Sequence, residues 1–266
     1  QSGEPDFPFC LGWANESWSG IWHGDPQRIL IEQTYPGKQD NIDHFYHLLP
    51  AFRDKRYLRV DDKPIFYIYS PDNLPDIDNF TDTFRNLALK EGLKGLYIIA
   101  NTADESWDPA LNGCDAVNLC LLGSLYKHLP SHKNYLQRKV KNQLLKPKMA
   151  KLYKQLANRP VSVYDYSQAI EHLLSEKTHN YDVYPCVIPN WDNSARSGLN
   201  ALILKNPAPQ AFAKHLRAAI ATIADKPADK KLVFIKSWNE WAEGNHLEPD
   251  ASFGKAYLEV IKQQLL

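Results

Sequence analysis

The stretch Leu232-Val-Phe-Ile-Lys-Ser-Trp-Asn-Glu-Trp-Ala-Glu-Gly244 joins a short apolar run to a cluster of indoles and carboxylates. Similar apolar runs recur upstream, at residues 7–13, 64–69, 96–100, 116–122 and 184–189. A helix-like amphipathic segment follows each run. Runs that are continuously apolar, rather than alternating, are typical of strands covered on both faces. Strands that alternate with helices predict an α/β fold with a parallel sheet.

The amphipathic segments predict helices at residues 40–49, 76–91, 167–176, 209–224 and 253–266. Pro50 is expected to bend or end the first helix, because proline lacks an N–H and clashes with the preceding turn. Six β/α units are visible, whereas a closed TIM-type (β/α)8 barrel needs eight. We therefore weigh an open α/β fold against a barrel without its first two β/α units, and favour the barrel. Either way we expect a single domain over residues 1–266.

Composition excludes several classes of protein. The 31 basic and 31 acidic residues cancel, so no global field favours nucleic acid as a partner. No apolar run approaches 18 residues, so no membrane span is expected. The cysteines show no metal-ligand spacing, which favours a reducing, cytoplasmic location, and no cofactor motif is present. The chain begins with Gln1 rather than Met, so a targeting sequence could have been lost.

One segment departs from the neutral balance of charge. Residues 116–164 contain ten Lys and Arg but no Asp or Glu, and Pro147 interrupts their helical pattern. We predict an inserted pair of basic helices at about residues 123–160. They would contact phosphate on a lipid-linked sugar, an anionic glycan or a membrane surface, or they present a solvated basic face. The solvated face is the favoured interpretation.

Polar and aromatic residues concentrate where the predicted strands end, which is where barrels place their active sites. Aromatic faces pack against the C–H faces of sugars while polar edges reach hydroxyl groups. We predict a substrate-binding set from these positions: Trp13, Asn15, Glu16, Trp18, Tyr67, Trp191, Asp192, Arg196, Asn239 and Trp241. Glu16 could instead anchor a loop. Arg196 could clamp a substrate anion or pair with Asp192, and the pairing is favoured.

Glu240 and Glu243 are the predicted catalytic residues. Cleaving or forming a glycosidic bond needs one carboxyl group for the leaving oxygen and a second that assists at the sugar ring. The alternative is that both are first-turn acids stabilised by a helix dipole. Gly244 and Pro249 make the start of a long helix here unfavourable.

Five phrases together resemble the WbsX family of glycosyltransferases, which is related to family 99 glycoside hydrolases. They are Pro8-Phe-Cys-Leu-Gly-Trp-Ala-Asn-Glu-Ser-Trp18, Leu30-Ile-Glu-Gln33, Asp62-Lys-Pro-Ile-Phe-Tyr-Ile-Tyr69, Pro189-Asn-Trp-Asp-Asn-Ser-Ala-Arg196 and Ser237-Trp-Asn-Glu-Trp-Ala-Glu-Gly-Asn-His-Leu-Glu-Pro249. They occur in the family's order and cover nearly the whole chain. The resemblance implies a (β/α)8 barrel whose first two strands precede the phrase at Pro8.

The resemblance also implies a bacterial enzyme that acts on an oligosaccharide or surface polysaccharide of the O-antigen type. By position, Glu240 would draw the proton from the sugar's 2-hydroxyl group, and Glu243 would act as general acid and then base. Glu16 falls near a hydroxyl-binding carboxylate. Ala242 stands where the hydrolases have His, so their substrate is not carried over, and neither transfer nor hydrolysis is favoured. The alternative function is a non-catalytic glycan-binding or scaffold domain.

Overall fold

The structure, a computed structural model, describes residues 4–20, 25–129, 162–198 and 201–265. The chain divides into two compact units, each built from several stretches of sequence. Unit 1 comprises Gln1–Leu119, Glu176–Tyr184 and Asp225–Leu232, and unit 2 comprises Cys120–Ser175, Pro185–Ala224 and Val233–Leu266. The single domain over residues 1–266 stays a prediction. Most of the predicted basic insertion lies outside the described residues, and its described beginning is a 3₁₀ helix at Leu121–Lys127.

Unit 1 is built on a parallel ladder of strands. Its elements in chain order are β1 (Leu11–Trp13), β2 (Trp18–Gly20), β3 (Asp25–Ile31), α1 (Lys38–Phe52), β4 (Arg59–Val60), β5 (Lys63–Ile68), α2 (Ile77–Lys90), β6 (Tyr97–Thr102) and β7 (Ala116–Leu119). Strands β1, β5, β6 and β7 pair in that order, all parallel. Strands β2 and β3 form a separate antiparallel hairpin. The ladder aligns the carboxyl ends of four predicted strands at one edge.

The two long helices of unit 1 follow from local chemistry and packing. Asp76 caps α2, because its carboxylate accepts a hydrogen bond from the Asn79 N–H at 3.1 Å, and the helix covers the predicted range. Helix α1 runs through Pro50 to Phe52, so of the two expected effects of Pro50, a bend or an end of the helix, the end is wrong. Phe52 is fully buried on the helix's core face, and its burial offsets the hydrogen bond that the proline removes.

Unit 2 combines two small parallel pairings with several short elements. In chain order these are β8 (Ser162–Asp165), α3 (Tyr166–Ala169), β9 (Asp182–Val187), β10 (Trp191–Asp192), α4 (Ser194–Ser197), β11 (Leu202–Lys205), α5 (Pro209–Thr222), β12 (Phe234–Ile235), β13 (Asn239–Glu240), β14 (Asn245–His246) and α6 (Ala256–Leu265). The first residues of β9 belong to unit 1 and its last three to unit 2. Strand β8 pairs parallel with β11, and β9 with β12.

The six predicted strands are all present, and the α/β class with parallel strands is confirmed. One helix was predicted too long: residues 167–176 contain only the end of α3 and a 3₁₀ turn at Ile170–His172. Each unit has its own apolar core, with an aromatic centre around Phe66 and Phe84 in unit 1 and around Tyr166 and Phe212 in unit 2. Within the described ranges, no helix combines the length and the apolar character that crossing a bilayer requires.

Candidate active site

The turn that carries both predicted catalytic residues follows β12 directly. Strands β13 and β14 pair antiparallel, with Glu240 opposite Asn245, and a single 3₁₀ turn at Trp241–Glu243 connects them. The predicted absence of a long helix at this point is confirmed. The Ser237 hydroxyl group donates to the Asn245 carbonyl at 2.9 Å and accepts from the Glu240 N–H at 3.2 Å. These bonds hold the two ends of the turn together.

Two buried asparagines tie this turn to the end of β9. The Asn245 amide donates to the carbonyls of Asn190 and Lys236, at 2.8 and 2.7 Å. The Asn190 side chain in turn accepts from the His246 N–H at 2.8 Å and donates to the His246 carbonyl at 3.2 Å. Buried amides that pair with backbone groups fix loops that have no regular structure of their own. The turn at residues 237–245, called the acidic turn below, is therefore held by bonds between its own two ends and by bonds to the segment after β9.

Glu243 forms an ion pair with Arg196, a residue of the short helix α4. Arg196 Nη1 lies 2.6 Å from Glu243 Oε1, and the two side chains are 26% and 13% exposed. The favoured prediction, that Arg196 pairs with Asp192, is wrong. Asp192 instead uses its carboxylate to accept the Ser194 N–H at 2.9 Å, at the start of α4. A charge-assisted hydrogen bond of this kind fixes the orientation of the carboxyl group of Glu243.

Lys236 is a second cation beside Glu243. Its Nζ lies 3.9 Å from Glu243 Oε2 and 4.9 Å from the ring centroid of the buried Trp191. An ammonium group over an indole face is stabilised by the ring quadrupole. The Cys186 thiol chiefly, and the Lys236 charge to a smaller extent, lower the pKa of the Cys120 thiol to about 7. Lys236 therefore acts on both Glu243 and the Cys120 thiol.

Two indoles beside Glu240 present exposed faces. Trp238 is 52% and Trp241 is 50% exposed, and Glu240 between them is also exposed. One face of Trp241 stacks on His246 at 3.9 Å between centroids, and its Nε1 donates to Glu248 Oε2 at 2.8 Å. The exposed face of Trp241, which these two contacts fix, and the exposed indole of Trp238 are suited to the C–H face of a pyranose.

Asn239, Gly244 and Asp192 complete the described surroundings. Asn239 is exposed, and its amide lies 3.4 Å from Glu248 Oε1. Gly244 has φ +53°, and a Cβ at this position would lie 2.8 Å from the Asp192 carbonyl oxygen. Only glycine therefore fits this close approach of the acidic turn to β10 without strain.

Five predicted substrate-binding residues lie in unit 1. Asn15 is fully buried; its amide donates to the Ser70 carbonyl at 2.7 Å, and its oxygen accepts the Ser70 N–H at 2.8 Å. The exposed Glu16 accepts a hydrogen bond from the Ser70 hydroxyl group at 2.6 Å. This contact joins the segments that follow β1 and β5, as a loop anchor would, and it leaves the carboxyl group exposed, as substrate binding requires. Both interpretations of Glu16, loop anchor and substrate-binding residue, therefore stay open.

The aromatic members of that set differ in their surroundings. Trp13 packs among the rings of Tyr35, His44 and Phe80, against the core of unit 1. Tyr67 donates its hydroxyl group to Asn118 Oδ1 at 3.0 Å. Trp18 is largely exposed on the β2–β3 hairpin. Their binding roles stay predictions.

The predicted set of site residues does not contain Lys236, Trp238, Asn190 or Asn245, although Trp238 and Asn190 stand among the polar and aromatic residues at the ends of predicted strands. Trp238 and Asn245 lie close to Glu240 in the sequence, and Asn190 directly precedes the predicted Trp191, so proximity to predicted residues was a usable signal. Lys236 interrupts an apolar run, and a cation there is a second signal. Within the described part of the chain, no group of three His, Cys, Asp or Glu side chains is placed to hold a metal ion.

Comparison with known proteins gives the family. The model of the family described as Glycosyltransferase WbsX matches residues 1–261. The chain belongs to the WbsX family. Its resemblance to WbsX, predicted from the five phrases, is confirmed, and it places the chain in a family of carbohydrate-active enzymes. The uncharacterised protein WxcX, from two strains of Xanthomonas campestris pv. campestris, is 29% identical to this WbsX chain over 259 residues.

That match covers 97% of the WbsX chain and 34% of WxcX, so the chain spans about a third of the length of these relatives. Among solved structures, a glycoside hydrolase-like protein is similar over 85% of this chain and 60% of its own, with 18% identity and a TM-score of 0.53. This likeness concerns the fold. A GH99 endo-alpha-mannosidase from Bacteroides thetaiotaomicron, 15% identical, covers 86% of this chain and 62% of its own with a TM-score of 0.45.

Proposed function

We propose that this chain makes or cleaves glycosidic bonds in an oligosaccharide or surface polysaccharide of the O-antigen type, with Glu240 and Glu243 as its catalytic pair. The observation that carries the proposal is the acidic turn after β12. It presents Glu240 to solvent between two half-exposed indoles and holds Glu243, which is 13% exposed, by an ion pair with Arg196. Family membership supports the chemistry, and a (β/α)8 barrel is the architecture that we propose for it.

The proposed mechanism retains the configuration at the anomeric carbon. Glu240 takes the proton of the sugar's 2-hydroxyl group, and that oxygen bonds to the anomeric carbon. Glu243 gives a proton to the departing glycosidic oxygen, so the bond breaks without free alkoxide. Glu243 then takes a proton from the incoming water or acceptor hydroxyl group, whose oxygen bonds to the anomeric carbon. The bond from that carbon to the 2-oxygen breaks, which opens the anhydro-sugar intermediate, and Glu240 returns its proton to the 2-oxygen. Access of water to that intermediate decides between hydrolysis and transfer.

Several groups have positioning roles in this proposal. Arg196 holds the carboxyl group of Glu243 in the chain without substrate, and the buried amides of Asn190 and Asn245 fix the turn. The exposed faces of Trp238 and Trp241 would bind the sugar ring. General acid catalysis depends on placement within hydrogen-bond reach of the reacting oxygen, so a turn tied on both sides is suited to this task.

The test is a screen of α-linked oligosaccharides for cleavage or transfer, followed by matched Glu→Gln variants. We expect Glu240→Gln and Glu243→Gln each to lower turnover by about 10²-fold or more, the usual scale for general acid–base groups, while glycan binding persists. Glu259→Gln is the control, because Glu259 is an exposed carboxylate of α6 in the same unit. Parental turnover in both site variants would refute the catalytic pair. Binding without turnover by the parent chain would establish the glycan-binding alternative.

A further inference from the structure

Glu243 lies between two cations that come from different elements. Arg196 reaches Oε1 from α4 at 2.6 Å, and Lys236 reaches the side of Oε2 from the end of β12 at 3.9 Å. Coulombic attraction energy between two charges falls only in inverse proportion to their separation, so the cation at 3.9 Å attracts this carboxyl group in addition to the cation at 2.6 Å. Positive charge is therefore concentrated on both sides of a proposed catalytic residue.

The neighbouring carboxylates serve other donors. Asp192 accepts the Ser194 N–H at 2.9 Å, and Glu248 accepts the indole N–H of Trp241 at 2.8 Å. These bonds are local to the start of α4 and to the indole face. The ion pairs with Arg196 and Lys236 are made by Glu243.

Both cations can be reached from solvent more easily than the carboxylate between them. The side chains of Arg196 and Lys236 are 26% and 27% exposed, against 13% for Glu243. The backbone of Lys236 is fixed, because its N–H donates to the Val187 carbonyl at 3.0 Å and its own carbonyl accepts from Asn245. An anion that approaches this surface therefore meets two anchored cations.

We infer that the saccharide bound at this site carries an anionic group that binds between Arg196 and Lys236. The inference rests on the proposed function and names its class of substrate, a sugar bearing a carboxylate or a phosphate group. A guanidinium group binds two oxygens of either anion in a planar fork, so the anion competes with Glu243 for Arg196. When Arg196 turns to the anion, the carboxyl group of Glu243 is released for the glycosidic oxygen. An anionic substrate thus completes the acid that acts on it.

Matched pairs of probes test this inference in binding titrations with the whole chain. Methyl α-glucuronide is compared with methyl α-glucoside, and the corresponding galacto and manno pairs are added. A sugar 1-phosphate and inorganic phosphate form the phosphate arm. The variants are Arg196→Gln, Lys236→Gln and the control Arg217→Gln, an exposed arginine of α5 in the same unit.

We expect at least one anionic probe to bind about tenfold or more tightly than its neutral partner, since hydrogen bonds to a charged group are worth about that factor. The preference should disappear in Arg196→Gln, weaken in Lys236→Gln and with added salt, and persist in Arg217→Gln. Tighter binding of the phosphate probes would identify phosphate as the group, and tighter binding of a uronide would identify carboxylate. The salt dependence of anion binding by the parent chain tests the charge contribution without any variant.

Other outcomes separate this inference from the proposed function. Equal affinity for charged and neutral probes, or no binding of any anion, overturns the anion site. If neutral glycans are then turned over in a Glu243-dependent way, the proposed function stands without it. Anion binding that depends on Arg196, in a chain that processes no glycan, keeps the anion site and refutes the proposed function.

Discussion

Replacing Gly244 by alanine tests whether the acidic turn is locked against β10. Gly244 has φ +53°, and Gly254, in a separate turn of the same unit, has φ +54°. An L-residue in this left-handed region costs about 1–2 kcal/mol, and that cost is common to both positions. No atom lies within 4 Å of a Cβ at Gly254, whereas at Gly244 the Cβ would lie 2.8 Å from the Asp192 carbonyl oxygen and 3.0 Å from its nitrogen. The two substitutions therefore differ in a backbone clash.

That clash adds an overpacking cost of about 1–3 kcal/mol, because neither backbone atom of Asp192 can rotate away. We expect Gly244→Ala to lower the free energy of unfolding by about 2–5 kcal/mol and Gly254→Ala by about 1–2 kcal/mol. Urea unfolding of both variants beside the parent chain measures the difference. Gly244→Ala should also lower glycan turnover more than Gly254→Ala, since the clash displaces the adjacent Glu243. Equal stability of the two variants would refute the close approach to Asp192.

Two further predictions concern stability. Burial lowers the pKa of His215, which is 1% exposed, from 6.5 to about 4, so the unfolded chain binds a proton that the folded chain refuses as pH falls through this window. The contribution of His215 to the free energy of unfolding should fall by about 3 kcal/mol from pH 6.5 to pH 4. His215→Gln should remove this part of the pH dependence in urea titrations, whereas the exposed control His47→Gln should keep it. Asp182 binds Lys226 at 2.5 Å and Lys230 at 2.9 Å. Asp182→Asn removes the negative charge that pairs with these two lysines, so it should lower the free energy of unfolding at pH 7 by about 1–3 kcal/mol. An unchanged midpoint of urea unfolding would contradict this prediction.

Strands β5, β6 and β7 were predictable because most of their residues are buried on both faces, and such strands need a continuous apolar run. Residues 64–69 illustrate this: Ile65, Phe66 and Ile68 are buried, and β5 has parallel neighbours on both sides. Helix α2 was predictable because Asp76 supplies a local cap and its apolar spacing matches the helical period. Helix α1 shows the limit. Pro50 is a strong local signal, yet the burial of Phe52 is decided by tertiary packing, which local sequence does not contain.

The candidate site divides in the same way. Glu240 and Glu243 were found because a strand end followed by carboxylates and indoles is visible in a few consecutive residues. The partner of Arg196 was missed because Glu243 lies 47 positions away, whereas Asp192 lies four positions away and suggests a local pair. The Asp192 carboxylate instead accepts the Ser194 N–H at 2.9 Å, through Oδ1. Glu243, rather than the neighbouring Asp192, thus supplies the carboxylate that pairs with Arg196.

Rigidity of the acidic turn comes from amides rather than from secondary structure. A helix would supply its own hydrogen bonds, but Gly244 and the 3₁₀ geometry give only one turn between β13 and β14. The missing bonds are supplied by Asn190 and Asn245, which are buried and donate to backbone carbonyls of the site. Buried amide N–H groups are costly unless they find acceptors, so these donors favour a single arrangement of the surrounding backbone. The carboxyl group of Glu243 can therefore be aimed by a loop, and the loop can leave Glu240 exposed to whatever the indoles bind.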